Sequence, residues 1–126
     1  MQGIESVTTA MVSTALDAAS LRQQVIASNI ANAGRSDYAA QRVSFEATLA
    51  AMTPGAPSAA RDASHSPFDL RMRIEPDRLA DGSPRPIQLD EEVGALAQNS
   101  MHYQALVKAL GKYLSLMAAA VGDGKR

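Results

Sequence analysis

The strongest constraint on this chain is a heptad row near its C-terminal end. Val93, Leu96, Tyr103, Val107, Leu110, Leu114, Met117 and Val121 recur at steps of three and four, and Ser100 is the polar member of the row. A period of 3.5 residues places these side chains along one side of an α-helix. Sustained over about four heptads, it describes a helix that packs lengthwise against another. The row predicts a helix over residues 90–121. Asp90 is placed to cap its start, Glu91 and Glu92 lie at the positive end of the helix dipole, and Lys108 and Lys112 lie in the later half. Gly122 and Gly124 end it. Gly94 and Gly111 lie inside, each costing about 1 kcal/mol relative to alanine, and they leave room for a neighbouring helix to come close.

A second helical pattern opens the chain. Ile4, Val7, Met11, Ala18, Leu21 and Val25 share one heptad stripe, whose remaining places are Thr14, Ser28 and Asn32. Val12, Ala15, Leu16, Ala19, Ile26 and Ile30 widen the apolar face beside it. Neither Pro nor Gly interrupts residues 4–33, and Gly34 is placed as the stop. Each predicted helix has about 30 residues and is therefore about 45 Å long.

Between them, residues 35–88 hold all six prolines. Residues 43–52 suit a short helix or an extended piece, with Phe45 and Leu49 at helical spacing. Residues 53–66 read as an Ala, Pro and Ser linker. Phe68, Leu70, Met72 and Ile74 alternate with Asp69, Arg71 and Arg73, a strand with one apolar face that needs a partner strand. Much of this segment is expected to be mobile in a free monomer. The expected fold is mainly α: one domain over residues 1–126, in which two long terminal helices pair as an antiparallel, coiled-coil-like hairpin around a loop-rich, partly disordered middle able to hold a short strand or hairpin. Such a hairpin leaves much of each apolar face uncovered, which calls for further protein partners.

Composition narrows the function. Twelve basic against thirteen acidic residues make a net charge of -1, so no general attraction to nucleic acid or anionic lipid is expected. The arginines of residues 61–85 are interspersed with Asp62, Asp69, Glu75, Asp77 and Asp81, a solvated mixture rather than a phosphate-binding patch. With no cysteine there is neither a disulfide nor a thiolate metal site. The first charge is Glu5, and Thr8, Thr9, Ser13 and Thr14 break the apolar run, so no cleavable secretory signal is read here, nor any stretch of about 20 apolar residues. His65 and His102 are 37 positions apart and lack the further ligands that zinc requires. Glu91 and Glu92 have a sufficient role at a helix start. No nucleophile motif or phosphate loop accompanies them, so no catalysis, cofactor or small-molecule substrate is expected.

The stretch Ala27-Ser28-Asn29-Ile30-Ala31-Asn32-Ala33 resembles the N-terminal signature of the flagellar rod, hook and hook-associated axial proteins, and it lies at the end of the first helix as in that family. Tyr38 followed by Phe45 resembles the family's next segment. The run from Leu89 through Gln98-Asn99-Ser100 to Tyr103-Gln104-Ala105-Leu106 resembles a proximal-rod branch of the family more than its sister branch, which shares the N-terminal signature. Relatives often carry Thr-Pro-Gly before the tyrosine. Here Arg35-Ser36-Asp37 stands instead, so Gly34 and Asp37 are left to make the turn.

The resemblance implies a structural axial subunit, exported through the flagellar type III route without a cleaved signal and assembled in the periplasmic rod. Its implied partners are further copies of itself, other rod proteins, a FliE-type adaptor and the membrane-ring protein. The residues expected to carry assembly and packing are Ile4, Val7, Met11, Leu21, Val25, Asn29, Asn32, Val93, Leu96, Tyr103, Val107, Leu110, Leu114 and Met117. Asn29 and Asn32 suit either register-setting hydrogen bonds or capping of the last carbonyls. Tyr103 suits an ordinary core place better than an interface anchor, and Tyr113 beside it suits another subunit. A cytoplasmic helical adaptor or export chaperone would use the same amphipathic helices. The two family motifs, in order and at the right separation, argue against it.

Overall fold

The computed structural model describes residues 2–44 and 72–124. Helix α1 is Gln2–Ala31, strand β1 is Gln41–Ser44, strand β2 is Arg73–Pro76, and helix α2 is Leu89–Asp123. Expectations for Phe45, Leu49, the 53–66 linker, His65, Phe68 and Leu70 lie outside the described residues.

Both helices form where their periodicity places them. The alanine-rich α1 absorbs its polar stripe members locally. Thr14 Oγ1 donates to the Ala10 carbonyl at 2.9 Å, so a hydroxyl on the apolar stripe needs no partner from another element. The helix ends by tightening. The Asn32 amide is shared between the Ser28 and Asn29 carbonyls (3.1 and 3.2 Å), and the Ala33 amide donates to Ile30 at 3.3 Å. Asn32 Nδ2 adds a bond to the Ser28 carbonyl at 2.8 Å. Gly34 follows in a turn without adopting a left-handed conformation, so it is not the expected glycine stop. Arg35 and Asp37, the departure from the family pattern, form an exposed ion pair of 2.7 Å within that turn. It holds the Asp37 carboxyl below its ordinary range.

Helix α2 begins one residue before the expected cap. Gln88 is the N-cap, without a side-chain cap bond, and Asp90 sits inside the first turn with Glu91 and Glu92. The acids act there on the helix dipole.

The two helices run antiparallel. Asn29 meets Glu92, while Gln23 and Ala19 meet Asn99, so partners descend α1 as α2 ascends. Among the described residues the apolar core between the elements is thin: Ala18, Ala19, Val25, Ile26 and Ala40 are buried. Three of these five are alanine, so the apolar area withdrawn from water is small.

Beside the helix pair, β1 and β2 form an antiparallel ladder with Arg42 opposite Glu75 and Val43 opposite Ile74. The strand anticipated over residues 68–74 overlaps β2 only at Arg73 and Ile74, where it finds its partner; residues 68–71 lie outside the described residues, and Ile74 itself is half exposed rather than on a buried face. The chain returns to α2 through a tight loop. The Leu79 amide bonds to Ser83 and the Gly82 amide to Leu79, both at 2.9 Å, and Gly82 has φ of 85°, a conformation that glycine adopts without a Cβ clash.

A candidate assembly surface

The inward side of α2 is turned by one position from the expected row. Glu92, Leu96, Asn99, Tyr103, Leu106, Leu110, Tyr113 and Met117 follow the same three-and-four spacing, and Asn99 is its buried member. Leu96, Leu106, Leu110, Tyr113 and Met117 are half-buried. Tyr113, expected to face away, lies on this inner row. Tyr103 remains 41 % exposed, more open than a core aromatic.

The intrachain seam has a polar middle. Asn99 is 5 % exposed; its Nδ2 donates to the Ala19 carbonyl and to Gln23 Oε1, each at 2.8 Å, and its Oδ1 has no partner. Gln23 Nε2 in turn reaches Ser100 Oγ at 3.4 Å. A buried amide with an unpaired acceptor lowers stability but favours one register over its neighbours, since a slip of the helices would bury it against apolar groups.

Asn29, 2 % exposed, fastens the other end. Its side-chain amide mimics a ladder residue: Nδ2 donates to the Gln41 carbonyl at 2.9 Å, and Oδ1 accepts from the Gln41 amide at 3.0 Å. Nδ2 also reaches Glu92 Oε2 at 3.3 Å. This single side chain ties α1, β1 and the first turn of α2 together. Asn32 instead caps its own helix.

On α2, what the seam leaves outside is the apolar half of the predicted row. Val93 (52 %), Val107 (47 %), Leu114 (53 %) and Val121 are exposed along one line, with Leu89 continuing it at the start. Ala97, Gly111 and Ala118 are exposed next to them, and a Cβ built on Gly111 meets nothing within 4 Å. The small residues leave the flank shallow enough for a helix to approach closely. On α1, Val25 is buried, Val7 and Leu21 are half-buried and Met11 is exposed; Ile4 lies in the first turns, its side chain outside the described set.

Among the described residues, no group of three or more His, Asp or Glu side chains is placed to hold a metal, and His102 is exposed on α2. By length and composition α2 also meets the requirement for a membrane-crossing helix. That corrects the expectation that no segment would. Its Asn99 and Ser100, however, hydrogen-bond to Ala19 and Gln23 of α1 in the same chain.

The residues missed in the sequence are polar: Gln23, Asn99, and the charged set Arg42, Asp77 and Arg85 around the β1–β2 ladder. A signal for Asn99 existed, since it lies on a row (92, 96, 99, 103) with the same period as the apolar one. Periodicity alone ranks rows by hydrophobicity, and the more polar row is the one that α1 covers.

No family model matches the chain. It is 32 % identical over 114 residues to the flagellar basal body rod protein FlgB of Bacillus subtilis (strain 168), an alignment that takes in 86 % of this chain and 88 % of that protein. With identity of that extent along nearly the whole of both chains, this protein belongs to the flagellar basal-body rod protein family.

Proposed function

We propose that this chain is an FlgB-type subunit of the proximal rod, a structural component rather than an enzyme, and that it works by self-assembly. The observation that supports this best is the open row of Val93, Val107, Leu114 and Val121 on a helix whose other side is already occupied by α1. A core this thin stabilises one chain only modestly, and the open row supplies the apolar area that neighbouring subunits would bury. Helices interlocked along such rows make a close-packed, stiff tube, which is what torque transmission requires.

The relative's printed name, together with the Leu89–Leu106 run, favours FlgB over the sister rod protein FlgC. The partners in this reading are other rod proteins, a FliE-type adaptor and the membrane-ring protein, with the whole of residues 1–126 acting as one rod-subunit domain. The place of work is the periplasmic rod, reached through the flagellar export route. Residues 2–31 form half of the helix pair, so a cleavage that removed them would destroy the subunit.

The test is deletion of the gene in its host, with motility scored and purified basal bodies probed with antibody. Loss of motility, with the protein present in wild-type basal bodies, is expected. Normal motility, or absence from basal bodies, overturns the assignment.

A further inference from the structure

The two-stranded ladder is fastened to the helices in two chemically different ways. One is neutral: the Asn29 amide holds the backbone of Gln41 and so fixes β1 to the end of α1. The other is a chain of alternating charges. Glu75 Oε1 pairs with Arg42 Nη2 at 2.8 Å, and Arg42 Nε stands 4.0 Å from Asp77 Oδ1. Asp77 Oδ2 pairs with Arg85 Nη1 at 3.1 Å, and Arg85 Nη2 pairs with Glu91 on the first turn of α2. This chain runs from β2, across β1 and the return loop, to α2. Asp77 sits at its centre with a side chain 17 % exposed; the outer members are more open to water. Bonds to Asp77 and Glu91 raise the pKa of Arg85, so that its charge is held by both.

Among the described residues, little else holds β2 and the loop. Ile74 and Leu79 are exposed, and in addition to its ladder bonds to β1 the segment uses backbone bonds such as Asp77 amide to Ala40 carbonyl (2.8 Å) and Arg85 amide to Asp77 carbonyl (3.0 Å). We infer that residues 73–85 form a salt-releasable flap: the alternating charges Glu75, Arg42, Asp77, Arg85 and Glu91 hold it down, while β1 and the helix pair stay in place through neutral contacts. Exposed pairs each contribute little, but five members in series lose their attraction together when ions screen them. Opening the flap bares the ladder edge of β1 and frees Arg42 and Glu91. Charges on a neighbouring protein surface would compete for these groups as dissolved ions do.

The test is amide hydrogen exchange on the full chain in solution, at about 0.01 M and about 1 M sodium chloride, where the screening length falls from about 30 Å to about 3 Å. The Asp77 and Arg85 amides are expected to exchange about tenfold faster at high salt, while the Gln41 amide and the α1 and α2 amides around Ala19 and Asn99 do not change. Arg85→Ala should open the flap at low salt with unchanged helix content and should remove most of the salt response. Salt-independent exchange at Asp77 and Arg85 overturns the inference. So does simultaneous loss of protection in the flap and helices, or a full salt response in Arg85→Ala. None of these readouts depends on rod assembly, so failure here is distinguishable from failure of the rod assignment.

Discussion

Replacing Asn29 by aspartate changes one atom type in a side chain that is 2 % exposed, and the structure sets the sign and size of the consequence. The bond from the Gln41 amide survives, because a carboxylate oxygen can still accept it. The two donor bonds are lost, and both become oxygen–oxygen contacts: one with the Gln41 carbonyl at about the present 2.9 Å, the other with Glu92 Oε2 at about the present 3.3 Å. Leaving a part-buried carbonyl unpaired costs about 1–2 kcal/mol. A second carboxylate facing Glu92 adds about 2 kcal/mol after both groups relax toward water. The total is about 3–4 kcal/mol at neutral pH, against about 2 kcal/mol for Asn29→Ala, which removes the bonds without adding charge. The ordering is the informative part: the isosteric change should be worse than the truncation.

The pH dependence has a definite sign. Burial and the neighbouring Glu92 raise the folded-state pKa of the introduced carboxyl above its unfolded value. The folded protein then binds the proton more tightly, and the penalty is relieved as pH falls through that raised pKa. Urea denaturation of the full chain, followed by far-ultraviolet circular dichroism at several pH values, measures both effects. Asn29→Asp with wild-type stability, a milder effect than Asn29→Ala at neutral pH, or no recovery relative to wild type in acid would refute the account of Asn29 as a neutral clamp between α1, β1 and α2.

Three further outcomes follow from the same geometry. Leu114→Asp and Val107→Asp, on the exposed row, should leave the helix content of the free chain unchanged but abolish rod incorporation and motility; a motile strain carrying either change contradicts the assembly surface. Ala19→Leu places a large side chain at a seam position that is 1 % exposed, beside the carbonyl that accepts from Asn99, and should destabilise the helix pair by about 2–3 kcal/mol in urea denaturation. The Asp81 carboxyl is held below its ordinary value of 3.8 by the Ser83 hydroxyl and then the Ser83 amide, so the loop bond to that amide should persist on acidification and be lost only as pH falls through the lowered value; an NMR titration of the Ser83 amide with a midpoint at or above 3.8 would contradict it.

The sequence by itself determined the two helices. An unbroken run from residue 4 to 33 and a heptad row from Val93 to Val121 leave few other ways to satisfy backbone and side chains, and the observed Gln2–Ala31 and Leu89–Asp123 differ from the expected bounds by only one or two residues at each end. It also carried the motif around Asn29 that led to the right family. It did not determine which face of α2 turns inward. Adjacent heptad rows share Leu96, Tyr103, Leu110 and Met117 and differ by one position, a rotation of about 50° about the helix axis when averaged over the repeat. That choice rests on contacts between residues more than 60 positions apart: Asn29 with Glu92, Gln23 and Ala19 with Asn99. No local pattern encodes such pairings. Only tertiary structure therefore decided that the polar row closes the hairpin and that Val93, Val107 and Leu114 are left on the outside.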